Sequence, residues 1–369
     1  MIEAKIVADS KNEFGDRITT MIITFPRIIL AEFNTHRTFS RNSASSRAIP
    51  FKKMIKNVMQ NPFIPIAWQK DHKGMQGIEY FTNHTVEENT HLWLTARDKA
   101  IFNAECLYKQ GVTKQLCNRQ LEPFMQHTVI VTATEWDNFF TLRCPQYGGK
   151  NYKDEEVYFR SKKDALYYLK NNNVNISNLS LDDTLGWLRV NKGQSEIHMM
   201  ALAEAMWDAY NESRPQELKA GYWHIPFNKK ITELLIDKEG ILYPSDLYMQ
   251  EVEETDGDVS TTNLKIKMAT VMAARTSYTL VGEDQKSMTV ERMIQLHDEL
   301  LAAKHLSPFE HCAKAMTSSE YWYWMKQSGT GLSGIPGMKA NQNTSRHLNE
   351  GWCGNFRGFI QYRKTIINE

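Results

Sequence analysis

Between Asn34 and Pro50 the chain reads NTHRTFSRNSASSRAIP, setting His36, Arg37, Arg41 and Arg47 among the hydroxyls of Ser40, Ser43, Ser45 and Ser46. Guanidinium forks and hydroxyls are the groups that hold phosphate, and the backbone amides of a Ser/Asn-rich turn can add an anion nest. His36 and Arg37 precede Ser45 and Arg47 by eight to eleven residues. A helix ending near Arg37, followed by a turn, would bring these side chains to one site. The alternative is a solvated serine-rich loop whose arginines pair with acids elsewhere, which is a common arrangement.

Two further stretches carry comparable chemistry. In NRQLEP (118–123) Arg119 stands just before a Leu-Glu-Pro break, and in NFFTLR (138–143) Arg143 closes an apolar helical run. Asn138 and Arg143 are five residues apart and point in different directions on a helix, so they serve different partners. Taken singly, each arginine reads as a surface residue. In SPFEH (307–311), Ser307, Pro308 and Glu310 match a capping box with the favoured proline. That accounts for those three, leaves His305 and His311 unexplained, and predicts a positive helix end able to face phosphate or a flavin. The nearby YWYW (321–324) reads as core.

The elements that must position these groups follow from periodicity. RITTMIITFPRIILAEF (17–33) predicts a strand, then a helix after Pro26 leading into the arginine–serine stretch. A helix is predicted over 85–110, with Thr85 as N-cap and Glu88 at N3, then a strand over 127–134 and a helix from WDNFFTLR. Residues 145–192 are rich in Lys, Asp, Asn and Tyr and read as a polar surface insertion with one helix at 162–171. A strong helix follows over 194–210, within a stretch (193–250) read as core helix and connection. Residues 251–263 read as an acidic linker, 264–276 and 288–303 as helices, 329–337 as a glycine-rich stretch and 354–364 as a basic tail.

With 369 residues the chain can bury a large core, and 44 Lys+Arg against 43 Asp+Glu argues against a nucleic-acid binder. Five scattered cysteines without a C-x-x-C pair fit reduced thiols, and no zinc site or other metal site is expected. No apolar run reaches the ~18 residues of a membrane span, and the start lacks a signal-peptide core, so a cytoplasmic protein is expected. G-x-G-x-x-G, G-x-x-x-x-G-K-[ST] and H-E-x-x-H are all absent.

Together these segments resemble the flavin-dependent thymidylate synthase (ThyX) family. Its R-H-R, seven residues, S, with an arginine two further on, reads here Thr35-His36-Arg37, residues 38–44, Ser45, then Arg47. Its R-x-x-L-P becomes Arg119-Gln120-Leu121-Glu122-Pro123, and its N-F-L-x-L-R becomes Asn138 to Arg143. Its A-Q-x-E-I-R becomes Gly193 to His198, and its A-A-R-x-S-Y and H-x-S-P-F-E-H are matched by Ala273 to Tyr278 and His305 to His311. The last two blocks come first in the usual family order. Here they come last, so the chain resembles a circularly permuted long variant of the kind found in bacteriophage genomes, with core segments at 1–144 and 264–369.

The resemblance implies an α+β fold, a central antiparallel sheet with flanking helices, and a homo-oligomer, tetramer or dimer, with shared active sites. It implies C5 methylation of a deoxypyrimidine monophosphate, dUMP to dTMP, with FAD, methylenetetrahydrofolate as carbon donor and NADPH as reductant. Ser45, Arg47 and Arg119 would hold the nucleotide phosphate, and Arg143 would bond the pyrimidine carbonyl as the catalytic group. His36, Arg37, Asn138, His305, Ser307 and Glu310 would line the flavin. The chain departs from the family at Thr35, at Glu32 and Ser43 near the nucleotide, and at His198. Those departures keep two alternatives open: C5 hydroxymethylation or hydroxylation of dUMP or dCMP, and a non-catalytic flavin- or nucleotide-binding protein.

Overall fold

The computed structural model describes residues 2–73, 79–82, 84–150, 153, 155–171, 193, 195–235, 257–278, 288–328 and 355–366. Its centre is an α+β arrangement built on β1 (Glu3–Asn12), β2 (Arg17–Pro26), β3 (Ser40–Ser43) and β4 (Gln126–Ala133). The hairpin of β5 (Tyr147–Lys150) and β6 (Glu156–Phe159) stands apart, while β7 (Gln216–Leu218) joins the central sheet. The five strands run in the order β3-β4-β2-β1-β7, antiparallel except that β7 lies parallel to β1 at one edge. The expected antiparallel sheet is therefore a mixed one. A second sheet of three strands joins β8 (Trp223–His224), β9 (Ala313–Ala315) and β10 (Phe359–Gln361).

Strands β2 and β4 are buried along nearly their whole length because both faces are covered. Met21, Ile23, Phe25, Val129 and Val131 pack under the helix Ile197–Glu212 through Met199, Leu202 and Met206. This is the main core. On the opposite face, Thr20 and Thr132 pair across the two strands, and Ile18 packs with β9 and β10 through Ala313, Ala315 and Phe359. A second core joins the helices Phe51–Gln60 and His84–Lys109 to the turn Asn118–Phe124. A third joins Asn228–Leu235, Gly257–Arg275 and Val290–Ala302.

Several expectations are corrected. The helix expected from Thr85 already runs from His84, so Thr85 lies inside it. The supposed linker 251–263 is helical from Gly257 onward, as the first turns of Gly257–Arg275; residues 251–256 lie outside the described residues. Residues 354–364 are no tail: Phe356 and Phe359 are buried, and β10 completes the second sheet. The glycine-rich stretch 329–337 lies outside the described residues, and of the YWYW cluster Tyr321 is buried while Trp322 and Tyr323 are exposed. The helix expected at 162–171 is present, but its surroundings are packed. Tyr147 and Ala165 are buried against Ile197 and Met200, and the Tyr147 hydroxyl donates to Glu204 at 2.8 Å.

Gly358 just before β10 sits at φ 70°, and a Cβ there would collide with the Asn12 amide and the Asp16 carboxylate. The same Asn12 amide donates to the Gly358 carbonyl at 3.0 Å, so the glycine lets the C-terminal strand dock on the β1–β2 turn. Gly358→Ala is expected to destabilise the protein by about 2 kcal/mol or more, combining positive-φ strain with the steric clash. A denaturant midpoint equal to that of the unsubstituted protein would refute this.

Candidate functional site

The helix of NFFTLR (Asp137–Arg143) is amphipathic, and its Phe139 and Phe140 enter the main core. That seats Arg143, its last residue, against the loop that follows the short helix Leu30–Phe33. Arg143 Nε donates to His36 Nε2 at 3.1 Å, Nη1 to Glu32 at 2.5 Å and to Ser195 Oγ at 3.3 Å. Among the described residues, Nη2 has only a 3.5 Å contact to Thr35 Oγ1. Three separate segments thus converge on one guanidinium and leave one of its nitrogens almost unused.

His36 is buried, stacked on Phe39 and edge-on to Phe139. Burial, reinforced by the charges of Arg143 and Arg41, pushes its pKa down to about 4. A neutral ring accepting at Nε2 carries its proton on Nδ1. The first role of His36 is therefore to fix Arg143, since its Nε2 is already engaged. Burial raises the Glu32 carboxyl, against the opposing pull of Arg143.

Arg41 connects this group to the C-terminal motif. Its Nη1 reaches the carbonyls of Phe33 (3.4 Å) and His36 (3.3 Å), and it also feels the charge of Glu310. Strand β3, which carries Arg41, packs against the turn Ser307–Glu310. Residues 32–43 and 307–310, far apart in sequence, are neighbours in space. The expected helix at SPFEH is corrected: Ser307 begins a single 3-10 turn of four residues, with Leu306 rather than Ser307 as its cap. There is consequently no helix dipole there to hold an anion. Glu310 is half-buried and accepts from Arg363 at 2.6 Å. His305 and Ser307 are exposed at this turn, as are Arg37 and Asn138 near Arg143.

A second cluster forms where the loop after β3 meets the turn Asn118–Phe124. Ser46 Oγ donates to Glu122 at 2.6 Å, and the Asn118 amide donates to the carbonyls of Ser46 (2.6 Å) and Ile49 (3.0 Å). The Ser45 amide donates to the Ser277 carbonyl at 3.0 Å, which ties in the A-A-R-x-S-Y block. Ser43 and Ser45 are half-buried, while Arg47 and Arg119 are exposed with no side-chain partner among the described residues. Arg27 completes the cluster. It reaches His127 at 3.1 Å and Glu122 at 3.3 Å, and burial, together with the charge of Arg119, lowers its pKa. Among the described residues Glu122 is paired with Arg27 alone, and Arg119 adds its charge beside Arg27, an excess of positive charge that suits a bound anion.

Sequence reasoning missed Arg27, Ser46 and Glu122 as members of this cluster, and Arg41 as the link between the two motifs. The thiols of Cys144 and Cys312 are pushed up by burial, away from the reactive thiolate. Among the described residues no group of His, Cys, Asp or Glu is arranged to hold a metal ion, and no helix is long and apolar enough to cross a membrane.

No protein-family model matches the chain, and no curated protein does. Solved structures similar to it include those of a UMP/dUMP methylase, PolB, from Streptomyces cacaoi. The one bound with 5-Br dUMP is 10% identical with a TM-score of 0.38, covering 57% of this chain and 91% of that one. The one bound with 5-Br UMP is 11% identical with a TM-score of 0.38, covering 57% of this chain and 89% of that one.

Proposed function

We propose that the protein is a flavin-dependent enzyme that methylates C5 of a deoxypyrimidine monophosphate, with dUMP as the substrate. The observation that carries this reading is a pair of arginine sites, both built on residues 27–47. The one around Arg27, Arg47 and Arg119 has excess positive charge for a phosphate, and the one at Arg143 presents a guanidinium nitrogen held in place but almost unused.

Ser45, Arg47 and Arg119, with Arg27 behind them, would hold the phosphate. Ground-state binding is their contribution. Arg143 Nη2 would donate to a pyrimidine carbonyl, stabilising the negative charge that grows there as C5 becomes nucleophilic. His36 and Glu32 would keep that donor aimed, because Nε and Nη1 are already engaged. No side-chain nucleophile is required of the chain.

The donor set around Arg41 fits a flavin chemically. Arg37 and His305 beside the two segments that Arg41 links, and Asn138 on the helix of Arg143, are exposed polar side chains without partners among the described residues, and Ser307 and Glu310 border His305 in the chain. Arg37 would meet the diphosphate, and Asn138, His305, Ser307 and Glu310 the remaining polar atoms; His36 would act from behind. The chemistry that FAD supplies when bound is hydride delivery, with methylenetetrahydrofolate as carbon donor and NADPH as reductant. Assembly as a homo-oligomer with shared sites belongs to the same proposal. Titration of the purified protein with FAD should show saturable binding by visible absorbance, weakened by Arg37→Ala. Saturating FAD with no bound fraction would remove the flavin from the account.

A second reading rests on the Glu32–Arg143 pair, which sets a carboxylate acceptor beside a guanidinium donor. That edge matches cytosine, whose amino group donates and whose ring nitrogen and carbonyl accept. It keeps dCMP, and a hydroxymethyl or hydroxyl product, in the tests below.

A further inference from the structure

Five buried side chains form a continuous hydrogen-bonded chain between the two sheets. Ser10 Oγ lies 2.9 Å from His224 Nδ1, and His224 Nε2 lies 2.8 Å from Thr20 Oγ1. Thr20 Oγ1 lies 2.7 Å from Thr132 Oγ1, which lies 2.8 Å from His311 Nδ1. Ser10 is 4% exposed and the other four are fully buried. The register of the sheets makes this possible: Thr20 and Thr132 are direct partners on β2 and β4, and His224 on β8 pairs with Ala313 on β9, two residues after His311.

The two ends differ. Ser10 lines a cavity of about 770 Å³, bordered also by Tyr222, Trp223, Lys229 and Lys265. At the other end His311 Nε2, one residue beyond Glu310, has no hydrogen-bond partner among the described residues. The charged group acting on His224 is Asp9, itself held by Arg17 at 2.7 Å and Thr19 at 2.9 Å; His311 feels mainly His224.

Each threonine hydroxyl has one hydrogen, and its only partners among the described residues lie within the chain; with both hydrogens used there, the bonds all run in one direction. Either both histidines carry hydrogen on Nδ1 and Ser10 accepts, or both carry it on Nε2 and Ser10 donates. The first direction leaves a bare lone pair at His311 Nε2; the second leaves a buried N–H without an acceptor, the rarer and costlier orphan. The first is the resting state.

We propose that Ser10, His224, Thr20, Thr132 and His311 form a two-state proton relay joining the interior behind the Ser307–Glu310 turn to the cavity at Ser10. A proton taken up at His311 Nε2 releases the one on Nδ1 to Thr132, and Thr132 passes its own to Thr20. Thr20 gives its proton to His224 Nε2, His224 gives the one on Nδ1 to Ser10, and the Ser10 hydroxyl proton leaves to solvent water in the cavity. One proton enters, one leaves, and nothing is oxidised. The relay stands independently of the proposed reaction.

The test is the tautomer of both rings in the full-length protein, read at neutral pH from correlations of ¹⁵N-labelled ring nitrogens with ring protons. The relay requires His224 and His311 to match, both protonated on Nδ1. Ser10→Ala removes the acceptor for His224 Nδ1–H, so that either direction then strands one N–H. Both rings should therefore move together toward a mixture, including His311 at the far end. Opposite tautomers in the unsubstituted protein would overturn the relay, as would a His311 that does not respond to Ser10→Ala.

Discussion

Arg143→Lys is expected to lower turnover on the pyrimidine nucleotide by about 100- to 1000-fold, the usual cost of losing one preorganised donor to a developing oxyanion. Lysine keeps the charge but not the planar fork. It cannot donate at once to His36 and Glu32 while leaving a further nitrogen aimed at the substrate. The loss should fall on kcat, because the carbonyl gains charge only as C5 reacts. Arg119→Ala supplies the contrast. A phosphate contact is much the same in ground and transition states, so KM should rise while kcat at saturation changes far less. If both substitutions alter KM alone, Arg143 is not a catalytic group. If neither alters either constant, both assignments fail.

Acid should unfold the protein well above the pH at which carboxylates alone would do so. Burial holds the pKa of His127, His224 and His311 down to about 3, with the charge of Arg27 adding to the effect at His127 and His224 adding to it at His311. Their ordinary value is 6.5, so the unfolded chain takes up protons that the native state refuses. The stability contributed by these neutral rings is complete above the unfolded value and is lost as the pH falls from there toward about 3. Each such group removes about 1.4 kcal/mol per pH unit. Three together exhaust a typical total of about 5–15 kcal/mol within a few units. The melting temperature should therefore start to fall below about pH 6.5, before carboxylates near ~4 begin to titrate. A melting temperature unchanged between pH 7.5 and pH 5 would contradict this.

What the sequence made legible was local. Phe139, Phe140 and Arg143 sit on one short helix whose periodicity is plain, and β2 and β4 announce themselves through β-branched runs buried on both faces. The arginine–serine stretch was expected to bring His36, Arg37, Ser45 and Arg47 to one site; His36 instead joins Arg143 while Ser45 lies in the second cluster, and the partners of neither were visible. Glu122 lies 76 residues from Ser46 and 95 from Arg27, and no local pattern encodes such pairings. The resemblance put His36 at the flavin; its burial against Phe39 and Phe139 makes it first a support for Arg143. SPFEH failed as a helix start because the chain enters β9 three residues after Glu310, and the cap position falls on Leu306. The three-residue strands β7, β9 and β10 are too short for alternation to show, so their pairing is set by tertiary contacts alone.

The measurement that bears most directly on the central claim is the mass of the nucleotide product formed by the FAD-loaded, NADPH-reduced protein. It is made with dUMP and with dCMP, each with and without methylenetetrahydrofolate. The account predicts a product heavier than dUMP by one methylene unit, formed only with the folate, and none from dCMP. A hydroxymethyl or hydroxyl product, or conversion of dCMP in place of dUMP, would overturn the assignment of substrate or product and favour the Glu32-based reading. Unchanged nucleotide in every arm from a protein that binds both FAD and dUMP would contradict the account and leave a binding protein.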